Sequence, residues 1–210
     1  MRGWLHTYAF FVAVVAGAVL TTLAATVGHR SGGPAGVSCA IYSLTACLVF
    51  GTSALYHRRV WSPRRYVLMR RLDHSMIFVF IAGTYTPFSV LLLSRPAATV
   101  ILSIVWGGAL LGVCLKVVFP HAPRWLSAPL YIALGWVAVG VFPQLLAQGG
   151  AAMLGWLLAG GVFYTAGAIS FALRRPNPWP GTFGHHEVFH ACTVIAAICH
   201  QIAIYLALLG

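Results

Sequence analysis

The chain has 210 residues, of which 60% are apolar and only 7% charged. A soluble domain carries about a quarter charged residues, so this composition excludes one and points to a chain whose solvent is lipid. The formal net charge of +11 does not make it a nucleic-acid binder, because its basic residues sit in short stretches between apolar runs and form no groove-reading motif.

Seven apolar segments follow one another, over approximately 4–27, 35–56, 73–94, 97–119, 125–147, 151–173 and 186–209. Each is long enough to cross about 30 Å of hydrocarbon as a helix. The expectation is an all-α polytopic membrane protein, a seven-transmembrane-helix bundle forming one domain over 1–210. The first run follows Arg2 and exceeds the usual apolar core of a signal peptide, so it reads as a retained span. Gly83, Pro87, Pro129 and Pro143 fall inside the runs, where membrane helices tolerate them as kinks. Gly108 and Gly112 form one GxxxG, a sign of close helix packing. Cys39, Cys47, Cys114, Cys192 and Cys199 lie in apolar runs without a CxxC pair, and read as small buried apolar side chains.

The arginines orient the chain. With the N-terminus in the cytoplasm, Arg2, Arg58, Arg59, Arg64, Arg65, Arg70, Arg71, Lys116, Arg124, Arg174 and Arg175 fall on the inner side, and Arg30 and Arg95 on the outer. That asymmetry is a strong positive-inside signal, giving an inner N-terminus and an outer C-terminus. The stretch from Arg58 to Leu72 holds six arginines interleaved with Trp61, Tyr66, Leu68 and Met69. It reads as a loop on the membrane surface that binds anionic lipid headgroups, each arginine contributing about 1 kcal/mol.

The chain has two acidic residues, Asp73 and Glu187. On the topology above, the second segment ends in Ser53-Ala-Leu-Tyr-His57, the third begins with Asp73-His74, and the seventh begins with His186-Glu187-Val-Phe-His190. Three remote stretches thus bring His57, Asp73, His186 and His190 to one membrane face at similar depth. His186 and His190, four apart, point from one face of a helix, and Ser53 lies one turn deeper than His57. Three imidazoles with one open position are the donor set of a catalytic zinc ion, which brings the pKa of water to about 7. Asp73 is the natural residue to manage a proton there, and Ser53 to orient a group or donate to an oxyanion. Asp73 as an N-cap, or as a partner of neighbouring arginines, is a competing role.

His74 and His185 flank the set as lesser candidates. His6, His29 and His121 read as interfacial anchors. His200, about 21 Å along the axis from His186, is too far to share its ion and reads as a hydrogen-bonding residue within the membrane. The same stretch also spells HExxH, an intramembrane metalloprotease signature with Glu187 as base. One residue's step of about 100° turns Glu187 off the histidine face, so it reads instead as a helix-dipole acid or a partner of Arg174 or Arg175.

With these residues assembled, the chain resembles the progestin and adipoQ receptor family, in its bacterial hemolysin III branch. The resemblance rests on GTSALYH (51–57), RLDHSMIFVFIAGTYTP (71–87) and FGHHEVFHACTVIAAICH (183–200). It implies seven helices around a zinc ion near the cytoplasmic face, with His57, His186 and His190 as ligands, Asp73 reached through water and Ser53 close by. It also implies a bacterial inner membrane. The wider superfamily includes ceramide-cleaving enzymes, which implies hydrolysis of a lipid amide or ester. Receptor members carry an extended cytoplasmic N-terminal region; only a few residues precede the first run here, so the expectation is against a hormone receptor. Beside the hydrolase stand a non-enzymatic regulator or sensor of membrane lipid state, in which zinc staples the second, third and seventh helices, and the less favoured protease. A pore is disfavoured by the scarcity of charges within the spans.

Overall fold

In a lipid solvent a backbone N–H has no water to turn to, so each apolar run must close its own hydrogen bonds as a helix. A computed structural model describes residues 3–27, 30–119 and 124–210 and shows this outcome. Arg2, His29 and His121, with the side chain of Arg124, lie outside the described residues. The helices are α1 (Trp4–Thr26), α2 (Gly33–Arg58), α3 (Pro63–Leu92), α4 (Arg95–Val118), α5 (Arg124–Gly135), α6 (Phe142–Leu173) and α7 (His185–Leu209). A short 3-10 turn over Val137–Val141 joins α5 to α6. Among the described residues β pairing is limited to an isolated bridge between Trp179 and Phe183.

Prolines start α2, α3, α4 and α6 in their first turns, where a missing N–H costs nothing and the fixed φ suits the helix. Pro143 therefore begins a helix and does not kink a span, whereas Pro87 and Pro129 do lie inside α3 and α5. Six helical stretches among the described residues are long and apolar enough to cross a membrane. The longest, Leu126–Leu173, has 48 residues and as one straight helix would span about 72 Å, more than twice the hydrocarbon thickness. It is broken at Gly150, whose φ of 77° and ψ of 169° suit a residue without Cβ. The chain also doubles back within it. The Trp136 indole donates to the Thr165 hydroxyl at 2.9 Å, although a continuous helix would hold those residues about 44 Å apart.

The expected surface loop from Arg58 to Leu72 is mostly helix. α2 runs through Arg58 and α3 begins at Pro63, ten residues before the apolar run. Hydropathy marks where side chains turn apolar, not where the helix starts, and Arg, Leu and Met are good helix formers. At 30 residues, α3 is about 45 Å long and overhangs the hydrocarbon.

α1 packs on α2, α2 on α3, α3 on α4 and α6 on α7, while α7 also meets α1 and α3. Phe11, Val15, Leu110 and Leu111 are exposed on the outside, while Ser38, Thr45, Thr84 and Thr193 are buried, the inverse of a soluble core. Small residues set the closest approaches. A Cβ on Gly83 would lie 2.1 Å from the Thr45 hydroxyl, and one on Gly112 2.5 Å from the Phe78 ring. The GxxxG pair is thus used against side chains of α5 and α3, with Gly108 facing Leu134. Cys39 and Cys199 are buried, but Cys114 is exposed on the outer side of α4, where a thiol serves as well as any small apolar group.

One end of the bundle gathers Arg30, whose guanidinium donates to the Ala207 and Gln148 carbonyls at 2.9 Å. The first caps the C-terminal end of α7 and the second lies just before the break in α6 at Gly150, both places where carbonyls lack helical donors. The other end carries the histidines.

Candidate metal centre

The start of α7 is fixed before any histidine is placed. Glu187, in the first turn and 5% exposed, accepts from the Gly184 N–H at 2.9 Å. Asn177 Oδ1 accepts from the His185 N–H at 2.9 Å and lies 3.1 Å from its Nδ1. Donors left over at a helix start are thereby satisfied, and His186 and His190 are held on successive turns. Glu187 serves as the acid at the helix N-terminus, one of the two roles the sequence suggests for it.

His57 arrives on the last turn of α2. That end is tied to α1: the Arg58 guanidinium lies 3.8 Å from the Trp4 ring centroid, and its Nη1 donates to Thr7 at 3.4 Å. The Trp61 indole donates to the Tyr56 carbonyl at 3.3 Å.

The three imidazoles meet. One ring nitrogen from each of His57, His186 and His190 falls within 4.8 Å of the other two. His57 Nε2 and His186 Nε2 are 3.2 Å apart, and the rings of the three pairs have centroids 4.6–5.1 Å apart. Zinc–nitrogen bonds of about 2.0–2.1 Å in tetrahedral geometry put ligand nitrogens about 3.3–3.4 Å apart. The donor set and its spacing therefore fit one such ion.

Asp73 and Ser53 pair with each other across α2 and α3. Ser53, 3% exposed, sits on α2 one turn from His57 and faces the Asp73 carboxylate. Asp73 Oδ2 is 3.9 Å from His74 Nδ1. Asp73 is not one of the clustered ligands. Nor is it the N-cap of α3, since the helix is already ten residues old when it reaches Asp73.

The remaining histidines separate cleanly. His74 Nδ1 lies 2.7 Å from the Arg70 carbonyl, and the His74 carbonyl accepts from Tyr131 Oη at 3.1 Å. His185 turns to Asn177. His200 lies deep in the bundle with Nε2 3.1 Å from the Leu157 carbonyl, against Gly160, where a Cβ would meet its ring at 2.2 Å. His6 departs from expectation. It is 2% exposed and stacked on His190, with centroids 3.9 Å apart and planes 5° from parallel. The signal for it was its place at the same end of the bundle as His57, a coincidence of depth the interfacial reading passed over.

Below the histidines lies a cavity of about 120 Å³, roughly ten times the ~10–15 Å³ that admits one water. Phe80, Phe88, Leu145 and Leu157 line it, and Phe189 and Thr193 bring it within one helical turn of His190.

A family model described as Haemolysin-III related matches residues 1–201. The chain is 32% identical over 154 residues to Hemolysin-3 of Bacillus cereus, covering 73% of this chain and 67% of that one. It is 32% identical over 182 residues to the heptahelical transmembrane protein ADIPOR2 of Oryza sativa subsp. japonica, covering 78% and 79%. To the ADIPOR-like receptor IZH2 of Saccharomyces cerevisiae it is 30% identical over 176 residues, covering 74% and 54%. With six candidate spans and a match over nearly its whole length, the chain belongs to the haemolysin-III-related family of multi-pass membrane proteins.

Proposed function

We propose that this protein is a zinc-dependent hydrolase of lipid amide or ester bonds, acting at the cytoplasmic face of a bacterial inner membrane. The observation that carries the reading is the convergence of His57, His186 and His190, with the Ser53–Asp73 pair one turn of α2 from His57 and an apolar cavity one turn from His190.

His57, His186 and His190 would hold the zinc. Bound there, it supplies Lewis acidity toward a carbonyl and acidified water at neutral pH. Asp73 takes a proton from the attacking water and returns it to the leaving nitrogen or oxygen, so water is added across the scissile bond. Ser53 holds the Asp73 carboxylate in position, or donates to the oxygen on which charge develops. The cavity walls take the acyl chain, burying apolar surface at about 25 cal/mol per Å².

The one domain over 1–210 crosses the membrane seven times in this reading, N-terminus inside and C-terminus outside. The break at Gly150 and the Trp136–Thr165 bond support dividing the longest stretch in two; the rice relative is itself called heptahelical. The arginine asymmetry supports the orientation. Arg64 and Arg65 are exposed in the first turn of α3, where a helix N-terminus disfavours cations unless an anion is near. Anionic lipid headgroups supply one.

Zinc content of the purified protein against His57→Ala tests the site. Turnover of a panel of ceramides, lysolipids and acyl-amides against His190→Ala tests the reaction. Zinc without turnover above that control sinks the hydrolase.

One observation favours a second reading, a regulator of membrane lipid state without turnover. α7 packs along α1, α3 and α6 rather than α2, so an ion shared by His57 and His190 would tie two helices that otherwise touch little. If removing zinc melts the bundle, and lipid-order phenotypes survive Asp73→Asn, the staple is the function.

A further inference from the structure

Every member of the histidine cluster except one has a role in the reading above. His6 comes from α1, an otherwise apolar helix, and is wedged between Phe50, at 5.2 Å and 65° between planes, and His190, at 3.9 Å and 5°. Its backbone is held close to the site. One turn earlier, a Cβ on Gly3 would lie 3.0 Å from His57 Cβ, so the start of α1 is laid against the end of α2.

A flat ring at this position needs no nitrogen. Phenylalanine would stack on His190 and edge against Phe50 just as well, and seven of the first fifteen residues of α1 are already aromatic or valine. An imidazole is the less favourable choice, because its ring nitrogens are buried with no well-formed hydrogen bond, the His190 backbone being the one polar partner near them, and burying polar atoms poorly paired is unfavourable. The ring lies beside the three ligands but places no nitrogen within their cluster, so it is not positioned as a fourth ligand. A polar group so poorly paired next to a donor set with an open place is suited to meet what enters that place.

We infer that His6 is a fourth imidazole of this centre, one that does not bind the ion but gives a hydrogen bond to the small anion or substrate oxygen that occupies its open position. The inference rests on the metal reading of His57, His186 and His190. It assigns to α1 a direct part in recognising the ligand, and makes the stack on His190 the means by which His6 is held in place.

The test uses the full-length protein in detergent, loaded with cobalt(II), whose visible bands report both ion binding and exogenous ligands. Cobalt affinity is measured by chelator competition, and azide is titrated as the probe anion, for the wild type, His6→Phe and His6→Gln. The expected result is cobalt affinity within about threefold in all three, azide affinity about tenfold weaker in His6→Phe, and part of that loss restored in His6→Gln. Unchanged azide affinity in His6→Phe overturns the inference and leaves His6 as packing. Loss of cobalt in His6→Phe comparable to that in His57→Ala also overturns it, since His6 would then be a ligand. Wild-type protein that binds no cobalt sinks the metal reading itself, a different result from either.

Discussion

His57→Ala is the sharpest perturbation of the centre, because His57 is the sole ligand that α2 contributes. Structural zinc sites with four protein ligands bind with about 10–16 kcal/mol, or roughly 2.5–4 kcal/mol per ligand. Losing one imidazole of three should therefore weaken zinc by more than a hundredfold, each tenfold being about 1.4 kcal/mol. The structural cost without metal is smaller. His57 is half-buried, with its ring 4.6 Å from Tyr56 and 4.7 Å from His186, and truncation removes packing worth about 1 kcal/mol. The two effects separate by experiment. Zinc affinity comes from competition with a chelator of known strength, and the thermal midpoint is read with and without that chelator. The expected pattern is a large loss of zinc affinity, a small loss of midpoint for the metal-free protein, and the disappearance of zinc-dependent stabilisation. If His57→Ala keeps zinc at wild-type affinity, the ion is held by the HExxH pair of α7 alone, and the joining of α2 to α7 through metal is wrong.

Asp73→Asn should leave zinc affinity within about tenfold, because Asp73 is outside the ligand cluster, yet lower lipid turnover by about 10²–10⁴; equal losses of both would make Asp73 a ligand. Glu187→Ala should lower the thermal midpoint by removing a buried helix cap, an effect of about 1 kcal/mol. Glu187→Gln should keep turnover within a few fold, and its abolition would restore the protease base as a contender. Gly83→Ala should destabilise the bundle by about 1–3 kcal/mol through overpacking, since its new Cβ would meet Thr45 at 2.1 Å. Adding Thr45→Ala to Gly83→Ala should recover part of that loss in thermal unfolding, and no recovery would place the strain elsewhere.

Most of the architecture was legible because hydropathy reports directly on which backbone must satisfy itself in lipid. The segments at 4–27, 97–119 and 186–209 fall within a residue or two of α1, α4 and α7. The failure at α3 is informative. Its first ten residues carry Arg64, Arg65, Arg70 and Arg71, and a scale that penalises arginine starts the segment only at Asp73, although nothing in those residues breaks a helix. Gly150 is the opposite case. The gap between 147 and 151 was visible only as a dip in hydropathy, and the reversal there depends on a positive φ and a contact between Trp136 and Thr165 that no local pattern encodes.

The site divides along the same line. The meeting of His57, His186 and His190 was legible because each lies near the end of a segment, and segment ends at one membrane face are brought to one depth. Depth alone cannot say which of several polar residues at one level turn inward. His74 lies next to Asp73 in the chain, yet its Nδ1 is turned to the Arg70 carbonyl, while His6, at the far end of the sequence from α7, stacks on His190. The difference is rotational. α3 spends one face on α2 and another on α4, so adjacent residues diverge by about 100°. α1 has a single inward face, on which His6, Ala9, Leu20 and Ala24 are buried in turn. A histidine on that stripe has only the bundle interior to enter, and at its depth the interior holds His57, His186 and His190. Which helix neighbours α7 therefore decides which fourth imidazole lies against the other three, and that is a property of the packing order α2–α1–α7, not of any motif.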